Sequence, residues 1–223
     1  MRIARHVLRS TSALALTCAA ACVLAAATLA GPAVASGHAD RVVTHTRHVV
    51  VRPVDASGQA RPGWTVHRMH GITADCSGSA AAAVDAGIYA CFPSAAYLPA
   101  CWPSSHHTVL CLRDARVHSL VRVPYSGTLG TVTAPKRPSP QDLTLGGGQY
   151  CTLRVGGAWA PLPTHPRWVG FYSCAHGSVY GPPKGDGIIR STTPWTVHLW
   201  RSGTAHRVVT RSVATAYFVG THH

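Results

Sequence analysis

The sequence predicts a mostly β, disulfide-stabilised antiparallel sandwich or barrel-like domain with at most one or two short helices. Three observations lead there. Cysteines are embedded in β-branched and aromatic runs, as in Cys101-Trp102, His107-Thr-Val-Leu-Cys111-Leu-Arg113-Asp114 and Tyr150-Cys151-Thr-Leu-Arg154. Short stretches alternate with the period of two that a strand requires, and glycine and proline punctuate them. The chain has no Glu, and its Lys residues are confined to Lys136 and Lys184, which removes the best surface helix formers and leaves Val, Thr and Gly in their place.

Residues 1–35 read as a secretory signal peptide. Arg2, Arg5 and Arg9 form a positive start, an Ala- and Leu-rich run extends from Ala13 to Ala30, and Ala33-Val34-Ala35 supplies a small-x-small cleavage pattern. An uncleaved anchor is the competing reading, because the run approaches the roughly 20 residues that span a bilayer. Gly31-Pro32 and the weakly apolar alanines favour cleavage, with no membrane span left afterwards. Cleavage removes Cys18 and Cys22 and leaves Cys76, Cys91, Cys101, Cys111, Cys151 and Cys174. An even number of cysteines in an exported chain implies disulfides, while sequence alone leaves the pairing open. Neighbour pairing is preferred because short loops close at the least entropic cost. No Cys-x-x-Cys is present, which argues against a zinc ribbon.

Residues 36–75 form an N-terminal extension, expected as a β-hairpin of a strand ending near Pro53 and a second strand over 64–70. The disulfide-bonded β domain then occupies residues 76–223. Ser77 can cap a helix, an alanine run follows and Gly87 can end it, so 77–90 reads as the one helix of the chain, with a loop as the alternative because its apolar face would consist of small side chains. Residues 107–113 alternate with both faces apolar, as an interior strand does. The stretch 133–140 carries three prolines and is expected to be an exposed connection between two halves. Gly146-Gly147-Gly148 lacks the Lys-Ser/Thr ending of a phosphate loop and reads as a hairpin turn. Beyond it, Cys151 and Leu153 share a face, Tyr172 and Cys174 share another, and Val197 and Leu199 oppose Thr196 and His198. Residues 208–219 supply closing strands.

Charge narrows the function classes. The formal net charge is +13, and the leader carries three Arg and no acid, so the mature chain is near +10. Such a chain is drawn to anionic cell-envelope polymers, although a merely solvated basic surface looks the same in sequence. No motif supports specific nucleic-acid binding. The histidine pairs His45/His48, His67/His70 and His106/His107 contain metal-ligand chemistry, but on a strand a spacing of three sends the two rings to opposite faces. Ser104, Ser105, His106, His107 and Asp114 contain the residue types of a hydrolase triad without a Gly-x-Ser-x-Gly elbow. Asp186 beside Arg190 reads as a turn or ion pair. Trp102, Trp159, Trp168 and Trp195 suit either a core or a binding face.

The motifs Cys151-Thr-Leu-Arg-Val-Gly-Gly-Ala-Trp159, Trp168-Val-Gly-Phe-Tyr-Ser-Cys174, Asp186-Gly-Ile-Ile-Arg190-Ser191 and Pro194-Trp195-Thr-Val resemble those of a recurrent type of uncharacterised secreted, disulfide-containing protein of actinomycetes. The resemblance covers about residues 76–220, implies export and disulfides, and carries over no catalytic residue, metal ligand or cofactor. The expected function is therefore a secreted, non-catalytic protein in the extracellular space or cell wall that binds an anionic envelope component or a protein partner. The alternative is a secreted hydrolase or metal-binding protein using His and Asp.

Overall fold

A computed structural model describes residues 42–93, 97–154, 159–201 and 207–222. The expected leader, the start of the N-terminal extension, residues 155–158 of the 151–159 motif and His223 lie outside the described residues. Fourteen strands are present among those described, and no helix. They begin with β1 (Arg47–Val51), β2 (Thr65–Arg68), β3 (Asp75–Ser79), β4 (Tyr89–Phe92), β5 (Leu98–Ser104), β6 (Thr108–Asp114) and β7 (Ser119–Pro124). The second half contributes β8 (Asp142–Leu145), β9 (Tyr150–Leu153), β10 (Val169–Cys174), β11 (Gly177–Gly181), β12 (Ile188–Ile189), β13 (Thr196–Trp200) and β14 (Val208–Val219).

These strands make two assemblies. The first is a six-stranded sheet in the order β2-β7-β6-β5-β4-β3. The second closes on itself: β14, β8, β9, β10, β11 and β13 pair in turn, and β13 pairs back to β14. All six of those pairings are antiparallel, so the result is a small barrel. A barrel of this size is filled by its own side chains. Leu143, Leu145, Cys151, Tyr172, Val179, Val197 and Leu199 fill it, each essentially inaccessible, as the alternation in sequence requires. The Tyr172 hydroxyl donates to the Pro140 carbonyl at 2.9 Å, which satisfies the one polar atom of a fully buried ring.

The sheet is apolar on both faces. Trp102, Leu110, Leu112 and Leu120 lie on one, and Val109, Cys111, Val121 and Val123 on the other, as expected for an interior strand at 107–113. Each disulfide ties adjacent antiparallel strands, and the pairing is that of sequence neighbours: Cys76–Cys91, Cys101–Cys111 and Cys151–Cys174. Cys101 stands directly opposite Cys111, and Cys151 opposite Cys174. Gly146 to Gly148 form the β8–β9 hairpin turn, with Gly147 and Gly148 at φ of 83° and 81°, a backbone region open chiefly to glycine.

Two expectations are corrected. Residues 77–90 are not a helix; β3, a turn and β4 occupy them. Ala80, Ala82 and Ala83 are fully buried, and the backbone there bonds directly to the end of β14, with Val219 N donating to Ala82 O at 3.0 Å and Val84 N to Val219 O at 2.9 Å. Alanine is used here because a larger side chain would hold the two backbones apart, and that tertiary contact overrides helix propensity. Nor is the N-terminal extension a hairpin. β1 adds in parallel to β14 of the barrel and β2 in parallel to β7 of the sheet, so the extension belongs to both assemblies. The chain end completes the seam, with Trp102 Nε1 donating to Gly220 O at 3.1 Å and Arg52 Nε to Thr221 O at 2.9 Å.

Candidate functional site

The barrel's strand directions place its connections. β8, β10 and β13 run one way and β9, β11 and β14 the other. The β8–β9 and β10–β11 turns therefore share one end. The approach to β8 and the segment after β11 share the opposite end, and there a groove opens.

The groove consists of two cavities that share Arg137 and Arg190. One, of about 540 Å³, is lined by Trp168, Lys184, Asp186 and His198 besides those two. The other, of about 360 Å³, adds His48, Lys136, Trp195 and Phe218. Both volumes lie within the range of small-molecule and glycan subsites. Asp186 is only 9% exposed, and Arg190 grips it through two parallel bonds, Nη1 to Oδ1 at 2.8 Å and Nη2 to Oδ2 at 2.5 Å. The fork geometry makes this a structural pair, and Arg190 also donates to Pro138 O at 3.2 Å, fixing the 133–140 connection to the barrel. Asp186 is thus an ion-pair residue, as its sequence context suggests. Among the described residues Lys136, Arg137 and Lys184 have no carboxylate partner, so the groove presents three uncompensated cations.

Aromatic rings hold the walls. His165 stacks on Trp168 with centroids 4.0 Å apart and planes at 12°, and His198 packs against the same indole at 4.9 Å. Burial lowers the His198 pKa, and the nearby His165 lowers it further, which favours neutral imidazole beside the indole. His48 lies 4.4 Å from Trp195, and the Arg190 guanidinium lies 5.0 Å above that ring. Gly187, at φ 74°, passes so near the Phe171 ring that a Cβ would sit 2.7 Å from it, which makes glycine the fitting residue between Asp186 and Ile188.

The other chemistry-bearing residues are dispersed. His106 and His107 sit at the β5–β6 turn, and His107 stacks on Tyr125 at 4.0 Å. Asp114 is at the far end of β6, and a strand rises about 3.3 Å per residue, so some 20 Å separates it from His107. Ser104 is occupied structurally: its hydroxyl donates to Gly58 O at 2.6 Å and accepts from Arg122 at 2.9 Å. Ser105, His107 and Asp114 therefore do not converge as a triad. Among the described residues, the one cluster with metal-ligand spacing is Cys91, Cys101 and Cys111, whose sulfurs are committed to disulfides. The pairs His45/His48 and His67/His70 find no third ligand among the described residues.

A pair of acids that the sequence reading does not bring together lies at the seam, Asp142 and Asp114. Asp142 is 3% exposed, and burial pushes its carboxyl up to about 6, partly offset by the Tyr150 and Thr152 hydroxyls. Tyr150 faces that carboxyl without closing a bond of ordinary geometry. Burial also acts on Asp114, but the hydrogen bonds from Arg116 outweigh it and hold that carboxyl below its ordinary value. Divergent carboxyls are the arrangement of acid–base catalysts, yet neither is among the residues that line these four cavities.

Comparison with known proteins finds no matching family model, no similar curated protein and no solved structure of similar fold.

Proposed function

We propose that this protein is exported and acts without catalysis, by binding an anionic polysaccharide of the cell envelope in the groove at the β11–β12 end of the barrel. The observation that carries the reading is a groove in which Lys136, Arg137 and Lys184 lack carboxylate partners among the described residues. Mutually repelling cations gathered in one cleft create a potential that attracts a chain of negative charges. Three disulfides are consistent with an extracellular or otherwise oxidising compartment, where such polymers are found. Neighbouring side chains already engage the groove's indole rings, His165 and His198 at Trp168 and His48 and Arg190 at Trp195. Base stacking needs a free ring face, so a glycan held by its carboxylates suits this groove better than a single-stranded nucleic acid.

Calorimetric titration of the disulfide-bonded protein with polygalacturonate, a neutral glucan and oligo(dT) tests the reading. The expected result is salt-sensitive binding of the polyuronate, no binding of the glucan, and loss in an Arg137→Glu/Lys184→Glu variant that melts normally. Preference for oligo(dT), or equal binding by the charge-reversed variant, would overturn it.

A further inference from the structure

The opposite end of the barrel holds a second cavity, of about 720 Å³, that the groove does not reach. Its basic side chains come from four separate places: Arg116 after β6, His176 in the β10–β11 turn, Arg201 just past β13, and Arg211 within β14. Among the described residues no carboxylate lines it. Arg116 is paired with Asp114 and lies over the Tyr150 ring with its guanidinium carbon 3.8 Å from the centroid. Arg201 and Arg211 have no carboxylate partner among the described residues. The neighbouring wall is the β8–β9 turn, where Gly146 to Gly148 leave the backbone bare of side chains.

One further lining residue carries a buried polar atom without a hydrogen-bond partner, Gln149 Nε2, while the neighbouring Tyr150 hydroxyl faces the Asp142 carboxyl. Buried donors are nearly always satisfied in folded proteins, and one left open beside a cavity points to a ligand that satisfies it. The two guanidinium groups without a carboxylate partner and the amide together offer more donors than a single carboxylate accepts. A phosphomonoester, with its three terminal oxygens and about two charges, matches them, and arginine forks bind it in pairs of parallel bonds. The cavity exceeds what a phosphate alone would fill, leaving room for an organic part the size of a sugar.

We propose that the hairpin end of the barrel is a binding site for a small phosphomonoester of sugar size, separate from the polysaccharide groove. Arg201 and Arg211 grip the phosphate, Gln149 donates to it, and the glycine turn admits it close to the backbone. Arg116 completes the charge while holding Tyr150 in place.

The test is titration of the full disulfide-bonded chain with glucose 6-phosphate, glucose 6-sulfate and gluconate at physiological ionic strength. One equivalent of glucose 6-phosphate should bind, about tenfold or more tightly than the other two, because the dianion draws on every donor. Arg201→Gln and Arg211→Gln should each weaken it by about tenfold or more. Arg201 is exposed past a strand end, so its variant should melt as the parent does. The groove variant Arg137→Glu/Lys184→Glu should bind glucose 6-phosphate normally, which separates failure of this site from failure of the polysaccharide reading. Equal affinity for phosphate and sulfate esters, insensitivity to both arginine substitutions, or loss in the groove variant would each overturn the proposal.

Discussion

The sheet of β2–β7 buries apolar side chains on both of its faces, whereas the barrel of β8–β11, β13 and β14 gathers its apolar core inside. One sheet face packs at the seam around Trp102 and Leu110, and the other encloses the Cys76–Cys91 and Cys101–Cys111 bridges. The barrel carries a single bridge, and cations and rings gather at both of its ends. The two assemblies use the same short, β-branched strands. Their difference teaches that covalent ties concentrate in the sheet, and that exposed charge collects where closure of the barrel leaves connections free to differ.

The largest effect expected from breaking this comparison concerns the bridges. Chain entropy alone ranks the barrel bridge, which spans 23 residues, above the sheet bridge Cys101–Cys111, which spans 10, by about 0.7 kcal/mol. Packing acts the other way, since Cys101 and Cys111 are fully buried beside Cys91, while Cys174 is partly exposed. Cys101→Ala/Cys111→Ala should therefore cost about 4 kcal/mol in urea unfolding and Cys151→Ala/Cys174→Ala about 3 kcal/mol. The reverse order would mean that the sheet is not the stable half.

Asp142 sharpens the comparison at the seam. Its folded pKa of about 6 lies above the unfolded value of 3.8, so the native state holds the proton more tightly. That contribution is fully present below the unfolded pKa and is lost as pH rises through 6. The penalty at pH 8 is then on the order of 3 kcal/mol. Asp142→Asn should match the parent in stability at pH 3 and exceed it increasingly between pH 4 and 7. Parallel pH–stability curves would show that the carboxyl is not desolvated as described. A smaller effect belongs to Trp102→Phe, which removes the bond to Gly220 O across the seam and should cost about 1 kcal/mol with little change in groove binding.

Much of the fold was legible because strand alternation is a local signal. Leu110 and Leu112 against Val109 and Cys111, and Val197 and Leu199 against His198, take the faces that period two assigns them. The disulfide partners were legible for the same reason, since adjacent antiparallel strands bring sequence neighbours together. Residues 77–90 were not, because an alanine run announces helix propensity and conceals a close approach to β14 that only the tertiary fold requires. The groove was legible in one residue at a time. His198 was placed opposite the core and Asp186 was paired with Arg190, but Lys136 and Arg137 read as part of a proline-rich connection. Nothing local brings Arg137 to Lys184 and Trp168; barrel closure does. Asp142 and Tyr150 went unnoticed because their environment is made by Asp114 and Arg116, which come from the other assembly.

Hydrogen–deuterium exchange with and without polygalacturonate tests the division between the halves most directly. The account predicts slowed exchange in residues 133–140 and 182–190, with the amides of β3 to β7 unchanged. Protection concentrated on the β3–β4 edge of the sheet, with none along the groove, would contradict it.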